Sequence, residues 1–376
     1  RCSGSLDCAA GGAGEPRRAR HAASAVAPRR DGRSTPGSAG QEPVSSTRKP
    51  RLRVRFIGGG TGLFTVLTGF RRHVPGADLA AVVSMMDSGG STGRLRVELG
   101  TLPPGDVRKC LVALSDAPRD LLALFEHRFE SSGHLSGHSL GNLMLSAAKS
   151  VAGGEYAAIE LLERILLVRG HVYPVTLDDT QLVASLADGT EIVGEAAIDV
   201  RGEAWQTPIR AVTLRPPARI FERAARALLD ADHIVIGPGD LYTSVVPTLV
   251  VEGMRATLAE ARRRGARLCY VTNTMTKRGE TDGYGAARFL AVVEAAVGAR
   301  VDAVVVNVGP VPPGLEEAYA REGATVVEHD LDDGGRVVVT GDLMSREQFA
   351  RHEPRRLAAA LLATMRRLPP RARPSG

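Results

Sequence analysis

The chain has 376 residues, 43% hydrophobic and only 4% aromatic, with a formal net charge of +6. That length suits one large α/β domain or two smaller ones, and no apolar run reaches the roughly 18–20 residues that span a bilayer. Nine of the 48 basic residues lie in residues 1–50 and four in residues 363–376, leaving 35 basic against 38 acidic groups in between, so the body lacks the electrostatic footprint of a specific nucleic-acid binder.

Residues 1–50 are rich in Gly, Ala, Ser, Pro and Arg, with no periodic apolar pattern, and are expected to be disordered. They carry no apolar core of the kind a secretory signal needs. The four cysteines, Cys2, Cys8, Cys110 and Cys269, have neither metal-ligand spacing nor a disulfide pattern, which fits a reducing cytoplasm.

From residue 51 the pattern becomes regular. "LRVRFI" (52–57) reads as a buried strand and "TGLFTVLTGFRRH" (61–73) as a helix, with "DLAAVVSMM" (78–86) a second strand. Helices are expected near 105–115, 118–129, 138–152 and 155–167. Residues 171–216 read as a β-rich insertion, with a hairpin turn at Asp188-Gly189. Strands at 232–240, 267–273 and 301–307 then alternate with helices at 249–264, 284–297 and 354–367. Such alternation implies a mostly parallel, doubly wound sheet covered on both faces. The body is expected to run from 51 to 368, with a short disordered tail at 369–376.

The chemistry concentrates where strands end. "GGGTG" (58–62) places free backbone N–H groups and a helix N-terminus at one point, which suits phosphate. It meets neither the G-x-G-x-x-G dinucleotide spacing nor the Gly-Lys-Ser/Thr of a Walker A loop, which argues against a nicotinamide-dependent dehydrogenase. "DSGGSTGRLR" (87–96) offers a second nest after the second strand, with Asp87 where an acid meets ribose and Arg94 as a phosphate partner. Two neighbouring nests suit a diphosphate. Further on, Asp106 is expected to cap the helix that begins there, Arg108 falls in its first turn, and His138 and Asn142 are expected to share one helical face. Gly237, Gly239, Tyr242, Thr243 and Ser244 follow one later strand, and Asn273, Glu280, Thr281 and Asp282 another. No nucleophile elbow, metal cluster or activated cysteine is evident, which favours a binder over an enzyme.

Taken together, "GGGTG", "DSGGSTGRLR", "LPPGDVRKCLVALS", "LFEHRF", "GHSLGNLML", "GPGDLYTS" and "TMTKRGETDGY" resemble the gluconeogenesis factor family, from about residue 54 to 365. That family is related to 2-phospho-L-lactate transferase of deazaflavin coenzyme synthesis. The resemblance implies a Rossmann-like core that binds a nucleotide diphosphate. In the gluconeogenesis factors this is a UDP-sugar, bound by a cytoplasmic protein tied to cell shape and growth on gluconeogenic carbon. It implies that Gly59, Gly60, Thr61 and Gly62 meet the nucleotide with Asp87, Gly89, Gly90 and Arg94 beside it. His138, Asn142, Gly237, Gly239, Tyr242 and Thr243 would complete the cleft, with Arg351 at the sugar-nucleotide end. If the chain is instead a transferase, Asp87 and His138 are the catalytic candidates and Mg²⁺ the candidate ion. Three positions depart from the family pattern: Ser88 and Lys109 replace the usual Asp and Asn, and Asp240 the usual Ser. The β insertion is a candidate homodimer contact.

Overall fold

A computed structural model describes residues 51–130, 133–201, 206–312, 314–332, 334–346 and 349–371. The expected disordered segment 1–50 and the end of the tail, 372–376, lie outside the described residues.

Seven strands form one parallel sheet: β1 (Arg53–Gly58), β2 (Asp78–Val83), β3 (His171–Pro174), β7 (His233–Ile236), β8 (Arg267–Val271), β9 (Ala303–Asn307) and β10 (Val337–Gly341). Their spatial order is β10-β9-β8-β7-β1-β2-β3, and every neighbouring pair is parallel. Strands such as β9, "AVVVN", are buried on both faces, as a helix-covered parallel sheet requires. Its sequence therefore shows a continuous apolar run with no alternation.

β4 (Gln181–Leu186), β5 (Glu191–Val193) and β6 (Ile209–Arg215) make a separate antiparallel sheet in the order β5-β4-β6. The expected turn at Asp188-Gly189 joins β4 to β5, with Gly189 at φ 91°. β3, which the sequence reading groups with the insertion, pairs in parallel with β2 and belongs to the main sheet.

The helix Gly60–His73 follows β1 directly and buries Leu63, Val66, Leu67 and Phe70. Phe70 meets Phe56 of β1 edge to face, ring centroids 5.0 Å apart. Its other flank packs on the closing helix, Pro354–Arg367. There a Cβ on Gly69 would strike the Pro354 carbonyl, so the small residue permits the close crossing. Glu353 caps the closing helix by accepting from the N–H groups of Arg355 and Arg356, at 3.0 and 2.8 Å. The start of the expected tail lies on the body: Arg371 N–H donates to the Gly265 carbonyl at 2.9 Å. No helix among the described residues is long and apolar enough to cross a membrane.

Candidate functional site

β1 is where the winding reverses. β2 and β3 extend the sheet to one side, and the chain returns to lay β7, β8, β9 and β10 on the other. Loops leaving the carboxyl ends of β1 and β7 must part there, and the resulting crevice is the usual ligand position in an open α/β sheet. A cleft of about 490 Å³ lies at this point. It is lined by Gly60, Thr61 and Gly62, by Gly239, Asp240 and Ser244, and by Lys277, Tyr319, Arg351 and His352.

Backbone constraints shape its glycine end. Gly60 has φ 66°, a left-handed conformation that favours glycine, and a Cβ there would meet only Ser244 Oγ, at 3.9 Å. Gly59 at the helix N-cap has no side chain to bond the first-turn N–H groups. Gly62 is different: a Cβ there would run into the Pro238 carbonyl, so glycine lets the β1 and β7 loops touch. Asn273 fixes the β7 loop, donating from Nδ2 to the Gly239 carbonyl at 2.9 Å and accepting from Gly239 N–H at 3.3 Å.

The cation beside this end is Lys277. Its ammonium lies 2.8 Å from Asp240 and 3.0 Å from Glu280, and it also bonds Asp199 of the insertion. Burial opposes its charge, but the Glu280, Asp240 and Asp199 carboxylates win and hold its pKa above the usual lysine value. Asp240, where the resemblance expects serine, thus has an opposite charge to meet. Lys109, the second departure, pairs likewise with Asp106 at 3.1 Å. Among the described residues, Asp199, Asp240 and Glu280 form the one acidic triad close enough to share a metal ion, and Lys277 already sits among them. The triad suits an ammonium and does not fit Mg²⁺.

The second nest opens elsewhere. Gly90 and Arg94 line a separate cavity of about 680 Å³, walled by Asp179, Gln181, Leu182, Gly194 and Glu195 of the insertion. The helix Gly90–Leu99, which the sequence reading treats as loop, begins at Gly90, with Gly89 as N-cap. Ser88 clasps the insertion: its N–H donates to Glu195 Oε2 at 3.2 Å, and its Oγ accepts from Ala196 N–H at 3.0 Å. Arg94 donates to the Ser136 carbonyl, and Arg96 pairs with Asp179. Burial pushes the Glu195 carboxyl up to about 7, with Asp87 adding to the effect.

Between the two cavities lies a buried polar seam. Asp87 accepts from Gly89 N–H at 3.0 Å. Burial, then the Asp106 charge, raises its pKa above the ordinary carboxylate range. Asp106 sits inside the helix Pro104–Leu114 and meets Gly59 and Lys109 without capping the helix. His138 precedes the helix Leu140–Ala152, whose cap is Ser139, so His138 and Asn142 do not share a helical face. They meet through Ser91 instead: His138 Nδ1 is 2.8 Å from Ser91 Oγ, and Asn142 Nδ2 donates to that oxygen at 3.1 Å. Arg108 completes the chain by donating to Asn142 Oδ1 at 3.0 Å. Burial, then the nearby Arg94, lowers the pKa of His138, which favours a neutral ring.

Most of the sequence-predicted residues fall in three places. Gly60, Thr61, Gly62, Gly239 and Arg351 line the switch-point cleft; Gly90 and Arg94 line the second cavity; Gly59, Asp87, Gly89, His138 and Asn142 lie in or beside the seam. Gly237 is buried at sheet level, its N–H donating to Ile57. Tyr242 and Thr243 are also buried and hold Glu280, through Tyr242 N–H at 3.1 Å and Thr243 Oγ1 at 3.0 Å. Sequence reasoning does not single out Lys277, Tyr319 and His352. Lys277 stands six residues beyond β8, where the strand-end rule applies; Tyr319 and His352 arrive from segments with no such signal.

A family model described as 2-phospho-L-lactate transferase CofD matches residues 54–344. The chain belongs to that family. A Nostoc sp. relative is 40% identical over 322 residues, covering 84% of this chain and 68% of that protein. The gluconeogenesis factor of Bacillus subtilis is 35% identical over 321 residues, covering 84% and 98% respectively. A crystal structure of a Bacillus halodurans protein shares the fold, with a TM-score of 0.78 and 37% identity over 83% of this chain and 99% of that one.

Proposed function

We propose that this chain is a cytoplasmic UDP-sugar-binding protein of the gluconeogenesis factor type, regulating cell-wall precursor use and cell shape on gluconeogenic carbon. The observation that carries the reading is the position of the cleft. It lies at the winding reversal, with the uncapped N-terminus of Gly60–His73 at one end and Lys277 beside it. Backbone N–H groups and a helix dipole favour a diphosphate, and Lys277 offsets the Asp199, Asp240 and Glu280 carboxylates that would otherwise repel it. The relatives' names supply the gluconeogenic context. Isothermal titration with UDP-N-acetylglucosamine tests it. One site with Kd of about 1–100 µM is expected; no heat with this or any other nucleotide sinks the reading.

A second reading draws on Asp87, a half-buried carboxylate whose raised pKa suits a proton acceptor near a phosphate site. It makes the chain a transferase that moves a phospholactyl group from a nucleotide diphosphate to a deazaflavin, by positioning and charge neutralisation. Incubation with an activated lactyl nucleotide and a deazaflavin acceptor decides it, absence of product retiring the transferase.

A further inference from the structure

The Lys277 ammonium serves three carboxylates that arrive from three segments: Glu280 from its own loop, Asp240 from the β7 loop and Asp199 from the insertion. One positive charge cannot balance three negative ones, so negative charge is left in excess beside the cleft that Lys277 and Gly60–Gly62 line. A phosphate entering there must take the ammonium from one of the three. Glu280 is 1% exposed and holds two further bonds, from Tyr242 N–H and Thr243 Oγ1. Asp240 follows Gly239, which Asn273 pins through both its N–H and its carbonyl. Asp199 is the one carried on a separate element: its side chain is 39% exposed, and it ends the five-residue helix Glu195–Asp199.

That helix buries only Ile198, and five residues make too little helix to persist unaided. Polar contacts hold its two ends. At the first, Glu195 accepts from Ser88 N–H at 3.2 Å and Ala196 N–H donates to Ser88 Oγ at 3.0 Å. At the last, Asp199 bonds Lys277. Ser88, Gly194 and Glu195 line the second cavity, whereas Lys277 lines the switch-point cleft, so one short element touches both.

We propose that Asp199 is a built-in competitor for Lys277. A phosphate entering the cleft takes the ammonium from Asp199, and the helix Glu195–Asp199 passes that loss to the Ser88 clasp at the second cavity. Occupancy of one cavity thereby loosens the wall of the other. The proposal rests on reading the switch-point cleft as a phosphate site. It supplies what a coupling claim needs, a marginal element that both sites bias.

The test titrates inorganic pyrophosphate and UDP at low salt into the wild-type chain, Asp199→Asn, Lys277→Met and the double variant. Glu191→Gln is the control, since it removes the same charge from an exposed pair on the same insertion. Asp199→Asn is expected to bind both ligands about five- to tenfold tighter. The double variant should bind no tighter than Lys277→Met, and Glu191→Gln should match wild type. Amide hydrogen exchange on the wild-type chain gives a second arm: saturating pyrophosphate should speed exchange at Ser88 and Ala196 about fivefold. Unchanged affinity in Asp199→Asn, a gain that survives without Lys277, or an equal gain in Glu191→Gln overturns the proposal. So does unchanged exchange at both amides, which decides alone if Asp199→Asn fails to fold. Wild-type protein that binds neither ligand overturns the phosphate reading, and this proposal with it.

Discussion

Lys277→Met separates structural from ligand-binding roles at the cleft. The ammonium neutralises Glu280, whose side chain is 1% exposed, and two better-exposed carboxylates, Asp240 and Asp199. Removing one partner of a buried pair destabilises by about 3–5 kcal/mol. Two features reduce that here. Glu280 keeps its bonds from Tyr242 N–H and Thr243 Oγ1, and burial already raises its pKa, so it can take up a proton. The Asp240 and Asp199 partners are screened by water. A loss of about 2–3 kcal/mol is therefore expected near neutral pH, growing as pH rises and Glu280 is forced to ionise. Urea denaturation across pH measures it. Adding Glu280→Gln should restore at least half of the loss, because the uncompensated charge is what destabilises, whereas nucleotide affinity should stay low in both variants. A Lys277→Met protein within about 0.5 kcal/mol of wild type, or a double variant no better than the single, refutes the reasoning.

Three further outcomes follow from the geometry. Gly62→Ala drives a methyl into the Pro238 carbonyl, so it should destabilise by about 1–3 kcal/mol and weaken nucleotide binding together, read by urea denaturation and titration. Glu195 has its carboxyl raised to about 7 in the fold, so the native state holds its proton more tightly and stability falls as pH climbs from about 4.5 through 7. Glu195→Gln should flatten that segment and gain about 1–2 kcal/mol near pH 8, a full shift being discounted for partial solvent access. His233, buried in β7 with its pKa lowered to about 4, acts in the opposite sense: stability present above about pH 6.5 is lost as pH falls toward 4. His233→Leu should remove part of that acid slope in pH-dependent melting.

Much of the fold is legible in the sequence because buried parallel strands announce themselves. "RVRFIG", "DLAAVV" and "AVVVN" are short apolar runs closed by turn residues, and each forms a strand. The helix Gly90–Leu99 is not legible: its opening, "GSTGR", has the composition of a loop, and it buries only Ser91, Thr92 and Leu95. β3 pairs with β2 across five intervening helices, a long-range choice that four residues cannot encode locally. The helices Glu222–Leu229 and Leu315–Arg321 and the strand β10 are likewise not legible; the helices are short, and β10 is only partly buried.

The site was legible in part for the same reason. Glycines after β1 and β7 line the switch-point cleft, and strand ends and small residues can be read locally. Which of two nests opens into which cavity depends on where the insertion lands, and Ser88, Glu195 and Ala196 settle that through contacts more than one hundred residues apart. Lys277 acquires meaning only from the three carboxylates that surround it.

The most direct measurement is a crystal structure of the protein soaked with a UDP-sugar. The diphosphate is predicted at the first turn of Gly60–His73, within hydrogen-bond reach of the Gly60–Gly62 amides and of Lys277. A diphosphate bound instead in the cavity of Gly90, Arg94 and Glu195, with the switch-point cleft holding only solvent, would contradict the account.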